Sequence, residues 1–387
     1  MSSKYTSNTM ITKYLCSTIL LILTVGHNAA SANRSQVYFG TDRGGQGIYH
    51  AQFESTIGTL SSITLAVAVE FPSFLATHPN QQFLYATTGS DAPYSANVAA
   101  FRSQADGSLT FLNKQPTLGS NACHLSVDAT GRTLVAANYG SGNVSSFQIR
   151  ADGTLTAVVS NHYHGGSAQD PKRQKEPHPH SAFIHPNNCY VYVPDLGIDK
   201  VMIYALDPVR ATLTPCGSTE VPGGSQGPRH MKFSSDGKFA YVLNELSLSI
   251  ASYSVNLETG QLEYIDTQSV LTNGVDPEGM SCAEIRIHPS EQWLYASIRD
   301  LAGRGRDALS TFQRATDGSI RLIANTPAAV YIPRNFNIDP SGKWLIVGGQ
   351  RSATLTIFSI HQDTGTLTLK SAEIPFEGQP MCVEFLQ

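Results

Sequence analysis

The run EPHPHSAFIHPNNCYVYVPDLGIDKVMIYALDP, residues 176–208, interleaves His178, His180, Asp195 and Asp199 with two β-like runs. Imidazoles and carboxylates are the side chains that take and give protons most readily, so this stretch is a candidate acid/base site. Similar residues follow or precede other β-like runs: Asn138 and Tyr139 in ANYG, Arg229 and His230 in GPRH, Glu245 in LNELS, Arg299 in SIRD, Arg334 in PRN and Gln350 in GGQ. Guanidinium groups bind carboxylate or phosphate through a planar fork of N–H donors. Proton exchange beside anion binding is the chemistry on offer, provided that the fold brings these residues together.

The elements that must do so form an internal repeat. FLATHPNQQFLYATTG, HLSVDATGRTLVAANYG, AFIHPNNCYVYVPDLG, MKFSSDGKFAYVLNE, EIRIHPSEQWLYASIRD and FNIDPSGKWLIVGGQ each read as a β-run, a turn and a second β-run. Their turn positions Pro79, Ala129, Pro186, Ser235, Pro289 and Pro340 are 50, 57, 49, 54 and 51 residues apart. Each unit continues into a second hairpin, such as NVAAFRSQADGSLTFL or ALSTFQRATDGSIRLI. Asp-Gly and Thr-Gly suit turns needing positive φ, and the flanking β-branched and aromatic residues suit strands. Four antiparallel strands at this period predict an all-β fold, the β-propeller. Six repeats span about residues 72–371, and QVYFGT, GIYHAQF and GTLSSI join the terminal PMCVEFL in a seventh blade that closes the ring.

In such a blade, residues just before strand one and just after strand two share one face of the disc. That rule gathers His178, His180, Asp195, Arg229, His230, Glu245, Arg299, Arg334, Gln350, Asn138 and Tyr139 at one mouth of the central channel. Concave mouths of this kind hold ligands. The opposite face receives ordinary turns such as SDGK and ETGQ.

RQKEPHPHS with PDLGIDKVMIY, then GPRH followed by YVLNE, then PRNFNIDPSGKWLIVGGQ, occur in that order and at equivalent blade positions. In these the chain resembles the seven-bladed lactonase propellers, which include propeller-type 6-phosphogluconolactonases and carboxy-muconate lactonizing enzymes. The resemblance implies catalytic residues at His180 or His178, Arg229, Glu245 and Arg299. SIRD stands here where the family more usually has SNRG, and the following loop adds Arg304 and Arg306. It further implies hydrolysis of a sugar lactone by water, with Glu245 as base, the arginines on the oxyanion or an acidic substrate group, and His180 protonating the leaving alkoxide. His178, Asp195, His230, Arg334, Gln350 and Asn138 are the expected substrate-binding residues. Muconate cyclisation, and a noncatalytic binding propeller, are the competing expectations.

Composition narrows the partners. The 387 residues are 41% hydrophobic and 14% charged, with 26 Lys and Arg against 30 Asp and Glu, so no broad basic surface exists for nucleic acid. Lys172, Arg173 and Lys175 beside the histidine-rich HYHGG (His162, His164) oppose a metal cation and favour an anionic or polyhydroxylated lactone. No cofactor and no metal are expected, and the molecule is expected to be a monomer. Lys4 and Lys13, the apolar run Tyr14 to Val25 and the small residues ending at Ala32 have the order of a secretory signal, so residues 1–32 are expected to be removed and 33–387 to form a single propeller in the periplasm or outside the cell, free of the membrane. Losing Lys4 and Lys13 takes the formal charge from −4 to −6. Cys16 would leave with the signal, and the remaining odd set of cysteines is expected to be free thiols. N-terminal sequencing of the native protein should find Asn33 first; retention of Met1 or Ser2 would refute the signal.

Overall fold

The computed structural model describes residues 33–42, 44–89 and 94–386, so the expected signal segment lies outside the described residues. Strands build seven sheets, six of them with four strands in simple meander order. The innermost strands of blades one to six are Leu75–Thr77, Ala122–Val127, Phe183–Ile184, Pro228–Phe233, Met280–Ile287 and Pro333–Ile338. Blade seven takes its innermost strand, Pro380–Leu386, from the end of the chain and pairs it with Arg34–Thr41 from the beginning. Pro380–Leu386 also contacts the innermost strands of blades six and one, which closes the ring. Arg34–Gln387 forms one compact unit.

Burial explains the strand texture. Second strands are covered on both faces, and Trp293–Asp300 is buried along its whole length. Outer strands are largely open to water, as Leu109–Pro116 is, where only Leu109 is fully covered. The apolar core is a set of slabs between blades, for example Val37, Phe39, Phe53 and Phe385 of blade seven against Ile346, Leu355 and Ile357 of blade six. The outer hairpins turn where the sequence places Asp-Gly: Asp106, Asp152 and Asp317 each accept the backbone N–H two residues on. The glycines that follow, Gly107, Gly153 and Gly318, have φ of 86°, 89° and 85°.

One expected strand differs. GTLSSI contributes only Thr59–Leu60, and Thr64–Ala68 completes the same outer edge against Gly47–Glu54. Between them Ser61 turns back, its N–H on the Gln52 carbonyl at 2.9 Å, and the ladder shifts register at Ile48/Tyr49. Cys189 and Cys216 are exposed and unpaired, and Cys123, Cys282 and Cys382 are also free thiols.

Closure makes the last strand indispensable. Deleting residues 380–387 removes the buried side chains of Met381, Cys382, Val383, Phe385 and Leu386, at about 1.5–3 kcal/mol for each large apolar group, and leaves Arg34–Thr41 as an unpaired sheet edge. The truncated protein should aggregate or lose cooperative unfolding, as read by a thermal melt; an unchanged transition would refute closure through this strand.

Candidate active site

Residues reach the mouth from the start of the innermost strand and the end of the second, but simple alternation does not aim them. Four innermost strands carry an extra residue at that end. Pro228 and His230 pair with the adjacent Asn244 and Leu243, which leaves Arg229 as the insertion. Arg334 is inserted in the same way between Pro333 and Asn335, Cys123 between Ala122 and His124, and Met381 between Pro380 and Cys382. A β-bulge re-aims the side chain that it inserts, and all four of these line the cavity at the mouth.

That cavity, of about 200 Å³, is also lined by Asp42, Ser73, Thr88, Asn121, His180, His230 and Gln350. A neighbouring one of about 270 Å³ shares Asn121, Cys123, His180 and Arg334 and adds Tyr139, Arg173, Glu245, Arg299 and Leu301. The first is rich in hydroxyls and amides, the second in guanidinium groups.

Glu245 is the hub of the second cavity. Its Oε2 lies 3.0 Å from Arg229 Nε and 3.1 Å from Arg299 Nη2, and its Oε1 lies 2.9 Å from Arg173 Nη2. Arg229 also donates Nη1 to the Ala283 carbonyl, Arg299 donates Nη2 to the Cys282 carbonyl at 2.7 Å, and Arg173 reaches the Tyr139 hydroxyl at 3.2 Å. Burial opposes the charged carboxylate, but Arg299, Arg229, His180 and Arg173 outweigh it and hold its pKa far below the usual range. Arg334 has no ion pair or hydrogen bond among the described residues. Burial and Arg299 both work against its charge.

The histidines divide. His180, 5% exposed, lines both cavities, and its pKa is driven well below normal by burial and then by Arg229 and His230, so it is neutral at pH 7. His230 lines the first cavity and is neutral for the same leading reason, with Arg229 and Lys232 adding to it. His178 stacks on Tyr139 at 4.4 Å and bonds the Tyr139 carbonyl through Nδ1 at 2.9 Å, and it lines neither cavity. Of the pair left open by the sequence, His180 is the one at the mouth.

Besides His178, two more of the expected substrate-binding residues do not reach the mouth. Asp195 is fully buried and saturated: Oδ1 accepts the His178 and Gly197 N–H groups at 2.6 and 2.9 Å, and Oδ2 lies 2.6 Å from His164 Nδ1. Asn138 is fully buried beside Ser145, with Nδ2 on Ser145 Oγ at 3.2 Å. Both sit at the end of a second strand, where the turn onward needs internal partners. Among the three arginines of the SIRD loop, Arg299 faces the cavity, whereas Arg306 is paired with Asp300 and Arg304 with Asp276 and Glu278.

The seven-bladed β-propeller lactonase family matches residues 36–385. The chain belongs to it. A 6-phosphogluconolactonase of Bacillus subtilis is 32% identical over 350 residues, which is 89% of this chain and 96% of that protein. A 6-phosphogluconolactonase of Serratia proteamaculans is 32% identical over 315 residues, 81% of this chain and 87% of that protein. The structure of a periplasmic gluconolactonase of Pseudomonas aeruginosa superposes with a TM-score of 0.83 at 26% identity, covering 92% of this chain and 99% of the other.

Several residues at this lactonase mouth were not among those expected there. Asn121, Cys123 and Thr88 follow the same positional rule, but Cys123 reads as a strand cysteine in NACHLSV. Burial pushes its thiol up to about 12, so it is not a thiolate nucleophile. Arg173 belongs to the basic loop, which Gln174 pins by bonding the Leu196 carbonyl at 2.8 Å and Asp199 Oδ1 at 2.5 Å. GGSQG at 223–227 has the spacing of a serine nucleophile elbow, but it lies between two strands with no helix after it, and Ser225 lines neither cavity.

Glu245→Gln should destabilise the fold by about 3–5 kcal/mol at pH 7, because the three arginines lose their counter-charge. Since the folded carboxylate titrates below the unfolded one, its contribution is complete above the unfolded pKa and is lost as pH falls towards the folded value. The gap between wild type and variant should therefore shrink by about 1.4 kcal/mol per pH unit below roughly 4.3. Denaturant melts at pH 7 and pH 3.5 check this, and a pH-independent gap would refute it.

Proposed function

We propose that this lactonase hydrolyses a sugar (aldono)lactone outside the cytoplasm by direct attack of water. The observation that carries the reading is Arg334, a guanidinium without a carboxylate partner among the described residues, placed between the two cavities. It is available to an acidic substrate group or to the carbonyl oxygen. Arg229 stands beside it in the first cavity, its Nε and Nη1 already fixed by Glu245 and Ala283. Fixed donors of this kind stabilise the charge that develops as a carbonyl becomes tetrahedral. Ser73, Thr88, Asn121 and Gln350 offer the hydroxyl and amide groups that a polyhydroxylated ring needs.

The surroundings of Glu245 change its expected part. A carboxylate shared by three guanidinium groups and held far below its usual range is a weak proton acceptor, so Glu245 anchors Arg229 and Arg299 rather than activating water. The neutral imidazoles at the mouth, His180 and His230, are the groups that can take the proton. Export is supported by the order of charged, apolar and small residues in 1–32. Relatives are named for both phosphorylated and unphosphorylated gluconolactones, and an exported enzyme meets the unphosphorylated kind.

Glucono-δ-lactone and its 6-phosphate, offered to the purified mature protein, test the reading, and turnover of neither would leave a noncatalytic propeller. Arg334→Met should raise KM for the lactone that is turned over by about 10–100-fold, the worth of one charge-assisted hydrogen bond, with little change in melting temperature. An unchanged KM and kcat would remove Arg334 from the site.

A further inference from the structure

Beneath the mouth, His230 pairs with Glu284, a carboxylate that no site assignment above uses. His230 Nδ1 lies 3.2 Å from Glu284 Oε1, and both residues are buried. Glu284 is itself held from several sides: Oε1 accepts the Ile285 N–H at 3.0 Å, Oε2 accepts Asn335 Nδ2, and Arg286 Nε lies 3.7 Å from Oε1. Its position comes from a bulge, because Cys282 pairs with Ile298 and Ile285 with Ala296, so Ala283 and Glu284 together face Ser297. The Glu284 N–H is taken by Ser297 Oγ at 3.0 Å.

A carboxylate accepting from Nδ1 fixes the tautomer, so the proton of a neutral His230 sits on Nδ1 and the lone pair on Nε2. Nε2 has no hydrogen-bond partner among the described residues, and the ring lines the first cavity beside Arg229 and Arg334. His180 lacks this support. Among the described residues its Nδ1 has only the Cys123 thiol at 3.8 Å, and no carboxylate there orients it.

We infer that His230 Nε2 is the proton acceptor that activates the hydrolytic water, and that Glu284 is its positioning residue. This rests on the lactonase reading above. In the step, a water O–H bond breaks and its proton passes to Nε2 while the oxygen forms a bond to the lactone carbonyl carbon. The carbonyl electron pair moves onto oxygen, opposite the arginines. Collapse then breaks the ring C–O bond, and the alkoxide takes the proton back from Nε2, leaving a hydroxy acid and a neutral His230. The charged and titratable groups around the ring are Glu284 and Arg286 from blade five, Arg229 and Lys232 on its own strand, and Arg334 from blade six. His180 and His124 pack against it at 5.4 and 5.3 Å between ring centroids.

His230→Asn should lower kcat by about 100-fold or more with KM little changed. Glu284→Gln keeps an acceptor for Nδ1–H but removes the charge that favours the imidazolium. The acid limb of its kcat/KM profile should move to lower pH and kcat should fall about tenfold, a shift that a merely structural glutamate would not cause. Wild-type activity with His230→Asn within threefold of it, or an acid limb unmoved in Glu284→Gln, overturns the inference and leaves the lactonase reading standing. A wild-type protein that turns over no lactone overturns both. If the variants do not fold, nitrogen NMR of wild-type protein carrying 15N-histidine decides: the inference requires the His230 proton on Nδ1, and a proton on Nε2 refutes it.

Discussion

The site depends on the β-bulge at the mouth end of the innermost strands. In a regular strand adjacent side chains point to opposite faces, so Arg229 and His230 could not both line the first cavity, nor could Arg334 and Asn335. Inserting one residue lets two neighbours in sequence do so. A bulge also leaves backbone groups outside the ladder, and here other side chains near the site satisfy them. Ser181 donates to the carbonyl of the inserted Arg229 at 2.6 Å, Arg229 donates to the carbonyl of Ala283 in the bulge of the next blade, and Ser297 accepts from Glu284. Buried polar backbone must be paired, so each bulge holds its neighbour open and the aim of the arginines is shared among adjacent blades.

The opposite face supplies rigidity by a different device. His78, His185 and His288 accept the N–H two residues on through Nδ1 and donate Nε2–H to the carbonyls of Gly131, Gly237 and Gly342 in the next blade, at 2.9, 2.8 and 2.7 Å. The acceptor must be glycine: φ there is +70°, +70° and +72°, and an added Cβ would lie 2.3, 2.6 and 2.9 Å from the imidazole. Blades one, three and five carry the histidine, while Asp128 and Asp339 at the matching turns of blades two and six accept backbone N–H groups of their own turn. The staples thus join blades in pairs, and strand pairing between the two ends of the chain joins the last blade.

Blade number, the shared blade of the two termini and the face carrying the polar residues were legible in the sequence, because turn chemistry and strand periodicity are local. Position at the mouth also predicted His180, Arg229, Glu245, Arg299, Arg334 and Gln350, all of which line a cavity. It failed for His178, which stacks on Tyr139 instead, and for Asp195 and Asn138, since the last residue of a second strand can face the channel or turn inward to hold the next hairpin, and spacing does not distinguish these. The bulges were not legible: an inserted residue leaves no compositional mark, so Glu284 in CAEIRI reads as one more strand residue. Arg173 was visible as charge in a basic loop, but its pairing with Glu245 depends on the fold of that loop.

Charge at the mouth constrains how a proton can move there. Arg173, Arg229, Arg299 and Arg334 surround one carboxylate, Glu245, and the excess positive charge falls on buried imidazoles. Arg334 is among the charges that keep both His180 and His230 from taking a proton, after burial itself and Arg229. An empty mouth therefore holds neutral histidines that are weak bases. An anion settling on Arg334 cancels one of those repulsions, and an oxyanion forming near Arg229 cancels another, so proton affinity at the imidazoles rises as the substrate arrives and rises again as the carbonyl becomes tetrahedral. The same arriving charge would also raise the proton affinity of a carboxylate, but Glu245 starts far below its usual range with three guanidinium groups bound to it, which is why this arrangement suits Glu245 to holding arginines and a histidine to handling the water.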